Sequence, residues 1–402
     1  MTAWGASVVL AAAVLLVALE LGSRWWIRRH TRYHVWPPGM RLDLHQDPRV
    51  FPQVEPRARF EINADGERGG DVRGDEAGLF RVLVAGGSVV ECLALDQPTS
   101  WPGALERILS SPASLRTLGA RRVHVGSIGR GGIGSEHLDL IFERVLPQYR
   151  GLAAIVIMVG ANDVLLWLEE GAPRSLPGAA VRVADTFPCH PEQPFGWKLA
   201  EWATIELARR LRRSWLRPLE VREGAGAWVA NARKMRAEAQ ELRTSVPDPA
   251  VMLDRFERHF QRLLQRAQAH ADRVLVARQP WFEKEYTAEE AARIWHGGMG
   301  KPWKQTIRVY YTLDVMNRLM RLLDARAATV ADKLGVEHLD SRPVLTPSLE
   351  HYYDYVHYTP AGAAVVARAV AAALLRRPAR VGRSLGSPSP VAESASQVIG
   401  AT

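Results

Sequence analysis

Short runs of consecutive apolar residues, each bounded by glycine or polar residues, recur along the chain from residue 80 onward. Such runs predict strands of a parallel sheet that is buried on both faces. We predict five of them, at residues 81–85, 123–125, 153–159, 273–277 and 336–339. Segments with helical spacing of apolar residues accompany them, at 101–109, 136–145, 310–333 and 361–375. This alternation predicts a central parallel sheet with helices on both faces.

The alternation is interrupted after residue 168. A Gly- and Pro-rich loop at 171–194 is followed by three amphipathic, Arg-rich segments that predict helices, at 197–215, 228–244 and 252–271. An aromatic-rich loop spans 279–304. We therefore predict a large, mainly helical insertion at about 168–350, divided by the core strand at 273–277. For the aromatic residues of the loop, core packing is one interpretation, and stacking on a sugar ring or an acyl chain is the alternative.

Residues 3–21 form a stretch of 19 residues that is apolar apart from one glycine, one serine and Glu20. At about 1.5 Å per residue it is roughly 28 Å long, which matches the ~30 Å hydrocarbon core of a bilayer. Trp25 and Trp26 follow, in the position of interfacial anchors. The stretch lacks the basic start and the small-residue cleavage site of a signal peptide. We predict an uncleaved transmembrane helix, with a buried apolar helix as the alternative.

These patterns predict four segments. They are an anchor with a basic flank at 1–35, a Pro-rich linker packing on the main domain at 36–79, one catalytic domain at 80–377, and a disordered tail rich in Ser, Pro, Gly and Ala at 378–402.

The net charge of +9 comes mostly from arginines that are spread over the predicted helices. They do not gather with aromatic residues into a nucleic-acid surface, so we expect no nucleic-acid partner. A solvated helical face is the simple interpretation, and attraction to an anionic lipid or an acidic polymer is the alternative. The two cysteines, Cys92 and Cys189, form neither a disulfide framework nor a metal-binding pattern. We expect no metal and no cofactor.

Four short polar motifs occur along the chain, and their order relative to the predicted strands indicates one shared site. Ser88 ends a Gly-Gly-Ser sequence after the first predicted strand, and a Gly-rich turn at 127–135 follows the second. Asn162 lies in Gly-Ala-Asn-Asp after the third, and Asp354 stands three residues before His357 near the end of the chain. Because ligands bind beyond the carboxyl ends of parallel strands, the sheet can gather these residues into one crevice.

Each of these motifs suits one part of a serine esterase. Ser88 is the candidate nucleophile, and it needs a base because a free hydroxyl is almost entirely protonated. His357 is the candidate base, with Asp354 holding its tautomer and stabilising the imidazolium. The backbone N–H groups of Ser88 and Gly132 and the amide of Asn162 are candidate donors of an oxyanion hole.

In these motifs the chain resembles the SGNH, or GDSL-type, hydrolase family, from residue 81 to about 375. The resemblance lies in Ala-Gly-Gly-Ser at 85–88, the Gly-rich turn, Gly-Ala-Asn-Asp and Asp-Tyr-Val-His. Gly132 best fits the family's oxyanion glycine, with Gly129 as the fallback. Gly87 stands where many members carry aspartate, and Ser127 where asparagine is usual. Asn162 and His357 lie 195 positions apart, which exceeds the spacing of a compact member.

The resemblance implies a flavodoxin-like three-layer α/β/α fold, no metal, and hydrolysis or transfer of ester-linked acyl groups. We expect an esterase that acts on an ester-bearing small molecule, glycan or lipid, and we favour a short, acetyl-like group on a cell-envelope glycan. One alternative is an O-acyltransferase that receives its acyl group from a membrane-protein partner. Lipase or lysophospholipase activity and a catalytically silent binding module are the others.

The side of the membrane on which the domain lies is predicted differently by two arguments. Four arginines follow the apolar stretch and no basic residue precedes it, so the positive-inside rule places the domain in the cytoplasm. They are Arg24, Arg28, Arg29 and Arg32. The resemblance to anchored esterases favours the extracytoplasmic side, which is our expectation.

Overall fold

In a computed structural model of the protein, residues 3–72, 77–176 and 181–376 are described. The predicted tail at 378–402 lies outside these residues. The helices are α1 (Ala3–His30), α2 (Ser88–Glu91), α3 (Trp101–Leu109), α4 (Pro112–Leu118), α5 (Ser135–Val145), α6 (Ala161–Glu169), α7 (Val183–Thr186), α8 (Ala203–Leu216), α9 (Gly226–Ala237), α10 (Ala250–His270), α11 (Ala288–Arg293), α12 (Leu313–Lys333) and α13 (Pro360–Leu375). The strands are β1 (Arg41–His45), β2 (Arg57–Glu61), β3 (Leu79–Gly86), β4 (Arg122–Ser127), β5 (Leu152–Met158), β6 (Leu219–Glu223), β7 (Glu241–Arg243), β8 (Ala271–Arg278), β9 (Val309–Tyr311) and β10 (Glu337–Asp340).

The five strands predicted from apolar runs form one parallel sheet in the order β10-β8-β5-β3-β4. The chain moves one way from β3 to β4, and the other way from β4 through β5 and β8 to β10. Right-handed crossovers therefore place α3 on one face and α5, α10 and α12 on the other. Helix α13 packs on α3, and α10 packs on both α5 and α12. The predicted flavodoxin-like sheet with helices on both faces is confirmed, and its strand order reverses between β3 and β5.

A second, smaller sheet joins two distant parts of the sequence. Strand β1 pairs antiparallel with β2 and parallel with β6, in the order β2-β1-β6. The first two strands belong to the segment predicted as a linker, and β6 belongs to the predicted insertion. Leu42, Leu44 and Phe60 are buried under this sheet. The insertion and the segment before the main domain therefore form one layer.

Three predicted helices are shorter in the structure. The segment predicted at 197–215 becomes an α-helix only from Ala203, after a single 3-10 turn at Leu199–Glu201. The segment predicted at 228–244 is helical only to Ala237, and it continues into β7, which pairs with β9. The segment predicted at 310–333 begins as β9, and the helix starts after Thr312, whose side chain accepts a hydrogen bond from the N–H of Val315. A capping threonine fixes the start of that helix.

Helix α1 extends nine residues beyond the predicted apolar stretch, to His30. Its residues 7–30 are the one helix among the described residues that is long and apolar enough to cross a membrane. Glu20 accepts a hydrogen bond from Arg24 at 2.7 Å, the i,i+4 ion pair that the spacing predicts.

Candidate active site

The site is built at the reversal of strand order, where β3 and β5 lie side by side. Ser88 begins α2 directly after β3, and Asn162 lies in the first turn of α6 directly after β5. Gly87 lies between β3 and α2, and a Cβ on it would lie only 2.8 Å from Nδ2 of Asn162. The absence of a side chain at residue 87 therefore lets Ser88 and Asn162 approach each other.

Ser88, His357 and Asp354 form a continuous row of hydrogen bonds. Nε2 of His357 lies 2.8 Å from Oγ of Ser88, and Nδ1 lies 2.8 Å from Oδ2 of Asp354. The carboxylate of Asp354 also accepts the backbone N–H groups of Val356 and His357, at 3.0 and 2.9 Å. The structure thus brings together the three residues that the sequence places 269 and three positions apart.

Burial and charge have opposite effects on the pKa values of Asp354 and His357. Asp354 is buried, which raises the pKa of its carboxyl, but the adjacent His357 outweighs burial and holds that pKa well below its usual range. Burial lowers the pKa of the His357 imidazole, and the charge and hydrogen bond of Asp354 raise it above its ordinary value on balance. The arrangement therefore favours a histidine that accepts a proton while its partner stays ionised.

The predicted oxyanion donors lie around Ser88. Gly132 lines the same cavity as Ser88 and Asn162, and its φ of +74° is one that favours glycine. One hydrogen of the Asn162 amide is donated to the carbonyl of Ile133 at 2.8 Å, which fixes the orientation of the amide. The fallback residue, Gly129, instead packs against the backbone of residues 90 and 91 and accepts a hydrogen bond from the indole of Trp36 at 2.9 Å.

The predicted insertion contacts the loop that carries Asp354. The indole N–H of Trp295 donates to Oδ2 of Asp354 at 3.2 Å. Arg233 donates to the carbonyls of Tyr353, Val50 and Arg293, at 3.1, 2.6 and 3.0 Å. The guanidinium thereby ties the Asp354 loop to the insertion and to the segment before the main domain.

Glu91 and His296 line the cavity and were not predicted as site residues. Burial raises the pKa of Glu91 to about 7, and its carboxyl lies against Gly131, where an added Cβ would be 2.7 Å from Oε2. Burial lowers the pKa of His296 to about 3, so that its ring is neutral, and its Nδ1 has no partner among the described residues. Glu91 follows Ser88 by three residues on α2, a spacing that the sequence offers, whereas nothing near residue 296 points to the site.

One group of described residues has donor atoms close enough to ligate a metal. These atoms, from His296, Asp354 and His357, lie within 4.8 Å of one another. The Asp354 oxygens and Nδ1 of His357 are already engaged with each other. This set of contacts suits a hydrogen-bonded triad.

The cavity above Ser88 has a volume of about 730 Å³ and mostly apolar walls. Leu42 and Leu44 of β1 form one wall, and Leu165 and Leu166 of α6 contribute another part. A cluster of tryptophans from the insertion completes it, with the ring of Trp228 packed edge-on against Trp295 and Trp303. Trp228 and Trp303 are 37% and 49% exposed, so that apolar and stacking surface is open to a ligand.

Comparison with known proteins gives the following matches. The model of the GDSL-like lipase/acylhydrolase family matches residues 84–365, more than two thirds of the chain. Among solved structures, Axe2, an acetylxylan esterase from Geobacillus stearothermophilus, is 15% identical over 72% of this chain and 92% of its own, with a TM-score of 0.39. LAE5, an alpha/beta hydrolase enzyme from the metagenome of Lake Arreo, Spain, is 13% identical over 74% and 97%, also with a TM-score of 0.39. No curated protein matches the chain.

Proposed function

Since the chain belongs to the GDSL-like lipase/acylhydrolase family and is an ester-cleaving hydrolase, we propose that Ser88 is its nucleophile, His357 its general base and acid, and Asp354 the residue that orients His357. The observation that carries this proposal is the contact of 2.8 Å between Oγ of Ser88 and Nε2 of His357, whose other nitrogen is held by Asp354. A nucleophile, a base and an orienting carboxylate are thereby in hydrogen-bond reach of one another.

The reaction has two halves. Oγ of Ser88 attacks the ester carbonyl carbon while its proton passes to Nε2 of His357. The tetrahedral intermediate collapses with loss of the alcohol, which takes that proton, and an acyl-serine remains. Water then attacks the acyl carbon, His357 receives the water proton, and the return of that proton to Oγ releases the carboxylic acid.

Three donors suit the oxyanion that forms in each half. They are the backbone N–H groups of Ser88 and Gly132 and the amide of Asn162. A donor of this kind is typically worth about 3–4 kcal/mol of transition-state stabilisation. Support comes from the lining of the cavity, which includes all three residues, and from the hydrogen bond that fixes the Asn162 amide.

For the substrate we propose a short acyl ester on a glycan. The half-exposed rings of Trp228 and Trp303 at the cavity offer faces on which a sugar can stack. A second candidate is the ester of a longer acyl chain, which the apolar wall of Leu42, Leu44 and Leu165 favours. Transfer to a sugar hydroxyl uses the same acyl-serine, with the acceptor in place of water.

A fluorophosphonate probe tests the nucleophile. The full-length protein in detergent is treated with the probe, and the labelled residue is mapped by mass spectrometry. We expect labelling at Ser88 that is lost in Ser88→Ala and in His357→Ala and retained in Ser214→Ala, which changes an exposed serine of α8. Labelling at another serine, or full labelling of Ser88→Ala, contradicts the assignment.

A series of esters tests the substrate. Rates are compared on p-nitrophenyl esters of increasing chain length and on acetylated oligosaccharides, with free acid and acylated acceptor both quantified. We expect the short esters and the acetylated glycan to be preferred and free acid to be the product. A preference for long chains supports the second candidate, and an acylated sugar as the main product supports transfer.

We also propose that α1 anchors the chain in a membrane with the catalytic domain on the extracytoplasmic side. Support for the anchor is the length and apolar surface of α1. Fusion of alkaline phosphatase or of a fluorescent protein after residue 402 tests the side, because the phosphatase is active only outside the cytoplasm. A fluorescent, phosphatase-negative pair of fusions indicates the cytoplasmic side that the basic residues after α1 favour.

A further inference from the structure

Helix α1 is attached to the catalytic domain by a buried carboxylate at the end of its apolar stretch. Glu20 accepts hydrogen bonds from the backbone N–H groups of Ala203 and Thr204, at 2.9 and 3.0 Å, and from the side chain of Arg24. These are the first N–H groups of α8, which lack partners inside their own helix. Glu20 thus acts as a cap of α8 supplied from another helix, and the domain is fixed to α1.

Helix α8 runs alongside α1 in the same direction. Its first residues contact Glu20 and Ser23, and Arg210, two turns later, donates to the hydroxyl of Thr31 at 2.6 Å. The start of α8 is therefore level with the end of the apolar stretch of α1. The end of α8 lies further from that level, and Leu216 is about 20 Å from Ala203 along the helix axis.

Residues 197–201, the segment before α8, lie level with the end of the apolar stretch of α1, and all of them are exposed. The ring of Trp197 lies under the guanidinium of Arg24, with 4.5 Å between the guanidinium carbon and the ring centroid. Trp197 and Leu199 are 60% and 68% exposed. Trp25 on α1 is also exposed, at 61%. Large apolar side chains exposed together at one level mark an interaction surface.

We propose that this interfacial surface, made of Trp25, Trp26, Trp197 and Leu199, lies in the headgroup region of the bilayer that α1 crosses. The proposal rests on α1 being a membrane anchor. Tryptophan is the residue that membrane interfaces favour, and the surface is continuous with the end of the apolar stretch. The catalytic domain then has two attachments to the membrane and one fixed orientation above it.

The charges beside this surface favour an anionic bilayer. Lys198, Arg28 and Arg29 are exposed next to it, and Glu201 is the acidic residue of the segment, 3.9 Å from Lys198. Exposed basic residues near a membrane surface are attracted to anionic lipid. The basic residues exceed the acidic ones, so anionic lipid draws the segment closer.

Depth measurement in vesicles tests the proposal. The full-length protein is reconstituted in phosphatidylcholine with or without phosphatidylglycerol, and an environment-sensitive fluorophore is attached to Leu199→Cys, Leu216→Cys or Leu15→Cys. Cys92 and Cys189 are buried, and the unsubstituted protein gives their background labelling. Quenching is compared between lipids with a spin label near the headgroup and lipids with one deep in the acyl chain. Leu216 is the matched control, since it is as exposed as Leu199 but lies at the far end of α8.

We expect the fluorophore at residue 199 to be quenched by the shallow label, more strongly with phosphatidylglycerol, and that at residue 15 by the deep label, while residue 216 keeps its fluorescence. If residue 15 is quenched and residue 199 is not, the anchor stands and the interfacial surface is wrong. If residue 15 is not quenched by the deep label, α1 does not cross the bilayer, and the proposed interfacial surface is contradicted together with the anchor. Fluorophosphonate labelling of Ser88 in the same samples reports the proposed esterase chemistry separately.

Discussion

The indole N–H of Trp295 donates a hydrogen bond of 3.2 Å to the same carboxylate oxygen of Asp354 that holds Nδ1 of His357. Trp295 belongs to the aromatic loop of the predicted insertion, and Asp354 belongs to the loop before α13. The insertion therefore contacts the proposed triad directly, in addition to walling the cavity. A hydrogen bond to an ionised acceptor is stronger than one between neutral groups.

We expect Trp295→Phe to lower kcat by about ten-fold, because the loss of a hydrogen bond to a charged group costs about 1.5–3 kcal/mol, of which part is recovered by solvent or rearrangement. KM on a small p-nitrophenyl ester should change little, since the phenyl ring still fills most of the site. The matched control is Trp303→Phe, a tryptophan of the same cluster whose indole N–H has no hydrogen-bond partner in the described part of the chain. Equal losses of kcat in the two variants argue that the cluster acts through packing and not through Asp354.

The pH dependence of activity follows from His357. As the proposed base, it must be neutral to accept the proton of Ser88. Burial lowers its pKa, but Asp354 outweighs burial and raises the pKa above the ordinary 6.5. A base with a raised pKa is lost as pH falls through that raised value, so activity is expected to be full at alkaline pH and to fall on a limb that lies above pH 6.5. The pH profile of kcat/KM measures it, because that ratio reports the ionisation of the free enzyme. A profile that stays flat down to pH 5 contradicts His357 as the base.

Glu91 should set part of this limb. Burial raises the pKa of Glu91 to about 7, so Glu91 is negatively charged above about pH 7, where its charge is one of the causes that raise the pKa of His357. Glu91→Gln is therefore expected to move the part of the acid limb above about pH 7 to lower pH. Glu169→Gln is the matched control. Its carboxyl lines the same cavity and has a pKa raised to about 7 by burial, but it does not act on His357. A shift of equal size in both variants assigns the effect to the general charge of the cavity.

The sequence predicted the parts that depend on local pattern. The strands β3, β5 and β8 are apolar runs, so their position and parallel pairing followed from burial, and Ser88, Asn162 and His357 followed from motifs beside them. The parallel pairing of β1 with β6, about 180 residues apart, has no local signal, because nothing in either five-residue strand identifies its distant partner.

Residues of the cavity outside the motifs were missed for the same reason. Trp295 and His296 reach the site through the fold of a long loop, and only the three-dimensional contact gives them a role. Glu91 was within reach of sequence reasoning, since a glutamate one turn after a nucleophile is placed beside it by helix geometry. A buried carboxyl is a site candidate once its burial is known, and burial is a tertiary property.

The two glycines considered for the oxyanion hole should respond differently to a methyl group. Gly132→Ala meets no atom within 4 Å, so its cost is the positive φ of +74°, about 1–2 kcal/mol, and a shift of the proposed donor. Gly129→Ala places Cβ 2.4 Å from the backbone nitrogen of Glu91, which forces α2 to move. We expect Gly132→Ala to fold, with kcat reduced and KM nearly unchanged, and Gly129→Ala to lose stability. Thermal unfolding and kcat are measured on both, and a stable, fully active Gly132→Ala contradicts its proposed role.

A buried ion cluster should fix the segment before the main domain to the sheet. Glu67 packs against the neighbouring strands β3 and β4, with its carboxylate 2.8 Å from Nε2 of His124 and 3.1 Å from the guanidinium of Arg81. Removing one member of a buried ion pair costs about 3–5 kcal/mol, because the other charges stay buried without a partner. We expect this loss in Glu67→Gln, measured as a lower midpoint of urea unfolding. In Glu61→Gln, whose partner Arg41 is as exposed as Glu61 itself, we expect about 0–1 kcal/mol.

The pH dependence of that loss identifies the charges as its cause. Burial raises the pKa of Glu67, but His124 and Arg81 outweigh it and lower the value to about 2, so its contribution is present above pH 4.5 and is lost as pH falls through about 2. Burial lowers the pKa of His124, but the carboxylates of Glu106 and Glu67, which its two ring nitrogens face, outweigh it and raise the value to about 9. The contribution of His124 is therefore present below pH 6.5 and is lost as pH rises through about 9. The difference in unfolding free energy between the unsubstituted protein and Glu67→Gln should be largest between pH 4.5 and 6.5 and shrink on both sides, whereas a difference that is constant with pH argues for packing of the side chain instead.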